Sequence, residues 1–524
     1  MAKYVLNGNE CLGIEFGSTR IKLVLVDENC GILESGGFTW ENRLENGVWT
    51  YHTDEIWSGL QTAYSELNEK VKAETGEYIK ELASIGFSAM MHGYLPFDKE
   101  DRLLVPFRTW RNTITGEAAA ELTELFGFNI PQRWSIAHLY QAILNGEEHV
   151  KDIAFFTTLA GYVHFMLTGE KVLGIGDASG MFPIDSNIND YDAEMLEKFN
   201  ALPKVKENGI DIKAILPKVL PAGANAGRLT EKGVSLLDKT NSLKAGIPLC
   251  PPEGDAGTGM TATNSVTVRT GNVSAGTSIF AMVVLENALK NVYEEIDMVT
   301  TPTGKPVAMV HCNNCCTDLD YWTKIFTEFA QLSGSELTKP QIYDLLYNAA
   351  LDGDSDCGGV VNFNYFSGEP VSHTDDGRPM FLRTQGAKFS LANFFRAQIY
   401  STMSTLKIGM KILEKENVKI DKLYGHGGLF KTPVVGQRLM AGAVNAPVSV
   451  MKTAGEGGAW GMAVLARYSL ENGVSLEDYL ENKVFASCES STEYPDAKDV
   501  EGFEKYMKLY EKALAVEKAA YESI

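Results

Sequence analysis

Two stretches of the chain carry the same run of signals. Near the start, apolar residues around Leu12 to Ile14 lead into a short turn, Glu15-Phe16-Gly17-Ser18-Thr19. The stretch Ile21 to Asp27 follows, rich enough in Val, Ile and Leu to read as a strand. A third strand is predicted from Ile32 to Thr39. Next, Ile56, Leu60, Ala63, Leu67 and Val71 recur at helical spacing, with Thr53 and Asp54 before them as caps. A further strand is predicted from Leu82 to Phe87. Strands, then a helix, then a strand is an α/β pattern.

The second half echoes the first. Thr267 to Ser274 reads as a strand, Ala275-Gly276-Thr277-Ser278 as a turn, and Ile279 to Leu285 as a strand again. A long helix is predicted with Phe395, Ile399, Met403, Leu406, Met410 and Leu413 on one face. The strand Lys422 to Tyr424 then runs into Gly425-His426-Gly427-Gly428. Gly17 and Gly276 lie about half the chain length apart, which suggests two copies of one α/β unit despite negligible identity between them. The expected division is 1–258, 259–480 and a helical extension, 481–524. That extension carries Phe503, Tyr506, Tyr510 and Leu514 on one face, which is expected to pack on the second domain.

Composition narrows the class of function. The 524 residues hold 47 Lys and Arg against 68 Asp and Glu, a net charge of −21. Such a field repels nucleic acid and anionic membrane, so neither is an expected partner, and an anionic ligand must be held by local donors. No apolar run is long enough to cross a bilayer, and MAKYVLNGNE does not read as a signal peptide. Eight Cys are too sparse for a disulfide scaffold, so a reduced, cytoplasmic protein is expected.

Candidate chemistry is sparse and local. There is no P-loop motif. Gly257-x-Gly259-x-x-Ala262 is only half a dinucleotide fingerprint. Cys312, Cys315 and Cys316 read as small buried hydrophobes, since no second ligand pair lies nearby. The Glu15–Thr19 turn reads either as an ordinary hairpin or as a cradle whose backbone N–H groups hold phosphate, with the acid holding Mg²⁺. Its echo at 275–278 favours a pair of nucleotide-clamping hairpins. Asp255 is expected in a Gly-flanked turn after a short strand, Ile247 to Cys250. Met91-His92-Gly93 also follows a strand.

Taken in order, GIEFGSTRIKLVLVD at 13–27, SAMMHGYLPFD at 88–98, FRTWRNT at 107–113, GIPLCPPEGDAGTGM at 246–260, NVSAGTSIF at 272–280 and GHGGLFKTPVVGQRLMAGAVNAPV at 425–448 resemble the FGGY family of carbohydrate kinases. Further resembling stretches lie at 167–180, 216–230 and 456–466. The resemblance implies two ribonuclease-H-like domains, related to actin and hexokinase, that close over a cleft. It implies ATP and Mg²⁺ as cofactors and transfer of the γ-phosphoryl group to a sugar hydroxyl. Asp255 would be the catalytic base and, with Glu15, a metal neighbour. Ser18, Thr19, Gly276 and Thr277 would contact phosphates, while Gly427, Gly428 and Leu429 would line the adenine side. Met91, His92, Trp110, Arg111 and Asp255 would face the sugar. The Met-His-Gly loop resembles that of xylulose-type kinases, so a ketopentose such as xylulose or ribulose is the expected acceptor, and a homodimer a possible assembly. The alternatives are another polyol, a hexulose, a sugar acid, or a non-catalytic sugar-binding relative. The chain departs from the family at Glu15, usually Asp; at Met90, usually Gln; at Arg111-Asn112, usually Asn-Asp; and at Tyr400, usually Glu.

Overall fold

The computed structural model describes residues 4–451 and 457–524. The chain forms two compact units. One comprises Met1–Val266, Asp297–Val307 and Glu456–Ser487; the other comprises Thr267–Ile296, Ala308–Gly455 and Cys488–Ile524. Among the described residues no helix is long and apolar enough to cross a membrane.

The sheet of the first unit has five strands, in the order Glu253–Gly254, Ser84–Ala89, Cys11–Phe16, Arg20–Val26, Ile32–Thr39. Cys11–Phe16 runs parallel to Ser84–Ala89 and antiparallel to Arg20–Val26. Period-2 alternation divides its side chains between two faces. Leu12, Ile14 and Phe16 join Ile56, Leu60, Ala63 and Leu67 of the helix Thr53–Thr75 in one buried core. Cys11, Gly13 and Glu15 take the other face. There the helix Gly457–Tyr468 approaches so closely that a Cβ on Gly13 would lie 2.1 Å from the Ala459 carbonyl oxygen. Only glycine fits at that point.

The helix expected around Ile56 is present, but Thr53 begins it and His52 precedes it without a side-chain capping bond. The strand expected from Ile247 to Cys250 is reduced to single bridges, Ile85 to Leu249 and Arg228 to Pro248. Pro248, Pro251 and Pro252 have no N–H to donate, so a regular ladder cannot form there. Pairing resumes at Glu253–Gly254.

In the second unit, strand neighbours within a seven-stranded sheet run Pro306–Cys312, Ile279–Val284, Thr270–Ala275, Lys422–Gly427, Val448–Met451, Ser490–Glu493. Thr270–Ala275 pairs antiparallel with Ile279–Val284 and parallel with Lys422–Gly427. Each unit is thus built on a hairpin whose first strand pairs in parallel with a later strand. The repeat is exact in topology but not in the turn. The last pairs are Phe16 with Ile21 in one hairpin and Ala275 with Ile279 in the other, so the second turn is one residue shorter.

The long helix Leu391–Lys415 and the C-terminal helix Ala497–Ser523 pack within the second unit. Phe503, Tyr506 and Tyr510 are buried as their spacing predicts, while Leu514 is half-buried. The two helices are tied by a buried ion pair, Arg396 Nη2 to Asp499 Oδ1 at 2.5 Å, with side chains 1% and 3% exposed. Arg438 Nε meets the other carboxylate oxygen at 2.8 Å. Tyr400 accepts from Arg396 at 2.9 and 3.2 Å and donates to the Ser355 carbonyl. Burial pushes the Asp499 carboxyl up, but Arg438 and Arg396 outweigh it and hold the group below the usual range. Removing one member of such a pair strands the other in the interior. Asp499→Ala is therefore expected to destabilise the second unit by about 3–5 kcal/mol in a denaturant titration. The wild-type contribution is present above about pH 4 and lost on further acidification, because the folded-state pKa is the lower one.

Candidate active site

In the first unit, Asp255 is the first residue of the helix Asp255–Ala262, with Gly254 as N-cap. It sits not in a loop but at a helix N-terminus, where the dipole favours a carboxylate. Its Oδ1 accepts from the Met91 amide at 3.3 Å. One side is open to water, while protein crowds the others. That desolvation is the main cause raising the carboxyl to about 6; the Met91 amide opposes the rise and the charge of Glu15 adds to it.

Glu15 ends its strand on the face that meets the helix Gly457–Tyr468. Burial raises its carboxyl, opposed by Lys22, whose Nζ lies 3.9 Å away, and by the Ala459 backbone. Its register partner, Ser88, hydrogen-bonds Thr258 of the Asp255 helix at 3.1 Å. Glu15 and Asp255 are therefore brought to one place and feel each other's charge. Two further acids stand behind them. Glu253 accepts from the amides of Gly176, Asp177 and Gly254, and burial lifts it to about 7. Asp177 accepts from Thr158 and is raised well above its usual range, first by burial and then by Glu253 and Asp255. Sequence reasoning missed this buried pair, although the Asp177 stretch belongs to a segment it singled out.

The turn after Glu15 is pinned from below. Trp40 Nε1 donates to the Gly17 carbonyl at 2.8 Å, the Tyr51 hydroxyl to that of Ser18 at 2.6 Å, and the Trp40 amide to that of Thr19 at 3.2 Å. With its carbonyls committed inward, the loop presents Ser18 and Thr19 on its exposed side.

Met91 and His92 adjoin Asp255. His92 is left-handed, with φ 68°, and buried; Nδ1 lies 3.1 Å from the Gly180 carbonyl and Nε2 3.4 Å from Arg133 Nε. Burial, then Arg133, pulls its pKa down to about 3, so it is neutral. Trp110 and Arg111 follow Arg108, which bridges to Tyr94 just after the Met91-His92-Gly93 turn. Trp110 is 37% exposed, and the Arg111 guanidinium lies over the Trp49 ring, 3.7 Å from its centroid. Asn112 is buried and clamps the Trp49 backbone, accepting from its N–H at 2.7 Å and donating to its C=O at 2.8 Å.

The second unit holds a cavity of about 610 Å³ lined by Gly276, Thr277 and Gly428 together with Lys339, Tyr343 and Lys431, and by the carboxylates Asp320 and Asp344. Gly427 is exposed at its approach, with φ 100°; a Cβ there would lie 2.3 Å from the Ala275 carbonyl oxygen, so only glycine fits. Leu429 is fully buried and packs beneath the cavity instead of lining it. Lys339 and Tyr343 escaped sequence reasoning, their local signal being the Thr338-to-Gln341 capping box that starts their helix, while Lys431 lies in the 425–448 stretch without having been singled out. None of the eight cysteines is in a disulfide, and among the described residues no group of three or more His, Cys, Asp or Glu forms a ready metal site.

Residues 11–260 match the N-terminal domain, and 271–470 the C-terminal domain, of the FGGY family of carbohydrate kinases. A xylulose kinase of Lactococcus lactis is 21% identical over 518 residues, covering 95% of each chain. A xylulose kinase of Staphylococcus xylosus is 22% identical over 231 residues, 42% of this chain and 44% of that relative, so this match spans less than half the relative's length. The crystal structure of a gluconate kinase from Lactobacillus acidophilus superposes with a TM-score of 0.77 at 18% identity, covering 98% of this chain and 99% of that one. That likeness shows the two-domain actin- and hexokinase-like fold. With both domain models matched in order along most of its length, the chain belongs to the FGGY family of carbohydrate kinases.

Proposed function

We propose that the protein transfers the γ-phosphoryl group of ATP to a hydroxyl of a small sugar, with a ketopentose such as xylulose or ribulose as the favoured acceptor. The observation that carries this reading is Asp255: a carboxylate at a helix N-terminus, poised near pH 6, beside the Met91-His92 loop and a second acid. A sugar hydroxyl is a weak nucleophile at neutral pH, and a carboxylate of that pKa is ionised there and able to take its proton. The xylulose kinase names among the relatives support the ketopentose, and the gluconate kinase neighbour supports a second reading, a sugar acid.

ATP is assigned to the cavity of the second unit. The exposed Thr277 and its neighbour Gly276 would meet the phosphates with backbone N–H and hydroxyl donors, and Lys339 and Lys431 add charged donors whose charge Asp320 and Asp344 of the same lining balance. Gly427 and Gly428 would let a flat base lie against backbone. Ser18 and Thr19 would serve the phosphates from the first unit. Glu15 and Asp255 fit a magnesium ion: both are hard oxygen donors, and among the described residues the cation recorded beside Glu15 is Lys22, at 3.9 Å. Magnesium, when bound, would neutralise phosphate charge. Two carboxylates suffice, since that ion keeps waters and phosphate oxygens as its other ligands.

Three outcomes are expected. Asp255→Asn keeps the shape and removes the base, so kcat should fall by about 10² to 10⁴ while calorimetry still shows both ligands bound. A near-normal kcat would reject the role. The rate at subsaturating sugar should fall about tenfold per pH unit below pH 6, because the base works only when ionised and its pKa is about 6. Glu15→Gln should shift the Mg²⁺ titration of turnover to higher concentration; an unmoved titration would return Glu15 to a purely structural role.

A further inference from the structure

The loop Met91-His92-Gly93 is where a sugar is expected, yet His92 has little to offer one. It is 5% exposed. A carbonyl oxygen only accepts, so the contact with Gly180 puts the proton on Nδ1 and leaves Nε2 as an acceptor. That acceptor faces Arg133 Nε. Both ring nitrogens are thus spent inside the protein, and the ring itself lies over Trp134 with centroids 6.1 Å apart.

Arg133 is the accessible group of this cluster, with a side chain 28% exposed. Its Nη2 is ion-paired with Asp297, on the segment Asp297–Val307 that belongs to the first unit. Asp297 is itself 9% exposed along its side chain. A guanidinium has five N–H groups; His92 takes the one on Nε and Asp297 engages Nη2, which leaves the Nη1 donors. Asp297 offsets the charge. What faces a ligand is then a near-neutral pair, one member donating and one accepting. Adjacent sugar hydroxyls both donate and accept, and match such a pair; a carboxylate ligand would meet an already compensated guanidinium and the repulsion of Asp297. Arg111, the other candidate cation of the sugar loops, lies over the Trp49 ring, a contact that fixes its plane without using its N–H donors.

We infer that Arg133, balanced by Asp297, takes the sugar-binding place expected of His92 and selects a neutral polyhydroxy acceptor over a sugar acid. This rests on the sugar-kinase reading above. His92 becomes a positioning residue that orients the Arg133 fork.

The test is calorimetric binding, without ATP, of a ketopentose, a polyol and an aldonate to the full-length wild type and to Arg133→Gln, Arg133→Lys and Asp297→Asn, beside ATP affinity and a thermal melt. The wild type should bind a neutral sugar more tightly than the aldonate. Arg133→Gln should weaken neutral-sugar binding about 10- to 100-fold, the size expected for lost hydrogen bonds to a charged group, with ATP affinity unmoved. Asp297→Asn uncovers the positive charge and should move the preference toward the aldonate. If Arg133→Gln fails to fold, Arg133→Lys keeps Asp297 paired but loses the fork, and should still weaken the sugar and spare ATP. Unchanged sugar affinity in the folded Arg133 variants, or a wild type that prefers the aldonate, overturns the inference. Sugar that binds with the expected variant pattern but is never phosphorylated would refute the kinase reading and leave the Arg133 assignment standing.

Discussion

The site of the first unit hangs on one backbone-to-backbone contact. Gly13 lets the helix Gly457–Tyr468 lie directly on the strand Cys11–Phe16, and the same helix packs against Asp255–Ala262. Strand, helix and helix form a close-packed stack in which a side chain at Gly13 would force the elements apart, and interiors do not absorb such shifts without cost. The stack fixes the end of the strand, and so Glu15, against the start of a helix, and so Asp255. These two residues come from opposite ends of the first half of the sequence.

That packing crowds acids. Glu15, Asp177, Glu253 and Asp255 all have carboxyls raised by burial, and Asp177 and Asp255 each feel a neighbour's charge as well. The chain manages the load by unequal means. Glu253 is spent on three amides, including those at the start of the helix Ile175–Ala178. Asp177 has a hydroxyl partner on one oxygen. Its other oxygen is buried without a partner, while Glu15 and Asp255 lie at the end of the stack where Asp255 opens to water. Carboxylates held together with less compensation than they need are a poor way to gain stability but a good way to prepare for a cation and a proton.

Much of the fold was legible because it is written in short-range pattern. The strand from Ile21, the helix around Ile56 and the long helix around Met403 follow from periodicity alone, and the two hairpins show themselves as like turns half a chain apart. Asp255 was found by its glycine neighbours, but its setting was misread: the prolines at 248, 251 and 252 break the strand that pattern suggested, and the residue starts a helix. The partners of His92 could not be read at all. Arg133 lies in an unremarkable stretch, and Asp297 lies far along the chain; a pairing over that separation leaves no periodic trace in either segment. Lys339 of the second unit's cavity was hidden for the same reason.

Apart from Glu15, the residues that depart from the family pattern share a physical feature. Met90 receives the Tyr51 hydroxyl at 3.6 Å, Arg111 lies on Trp49, Asn112 clamps the Trp49 backbone, and Tyr400 joins Arg396 within the second unit's core. Each is turned toward the protein's own frame. Two of them hold Trp49, next to Tyr51, whose hydroxyl in turn holds the Ser18 carbonyl. The three departures of the first unit that surround Trp49 and Tyr51 therefore act on the shape and rigidity of the loop that carries Ser18 and Thr19. A change in which sugar is accepted needs a group that reaches the ligand, and of the groups packed around His92 the one with a part-exposed side chain is Arg133. Positions that look like specificity residues by their place in a motif can thus be scaffold, while selectivity passes to a residue outside every motif, because hydrogen-bonding capacity already used within the fold is not available to a substrate.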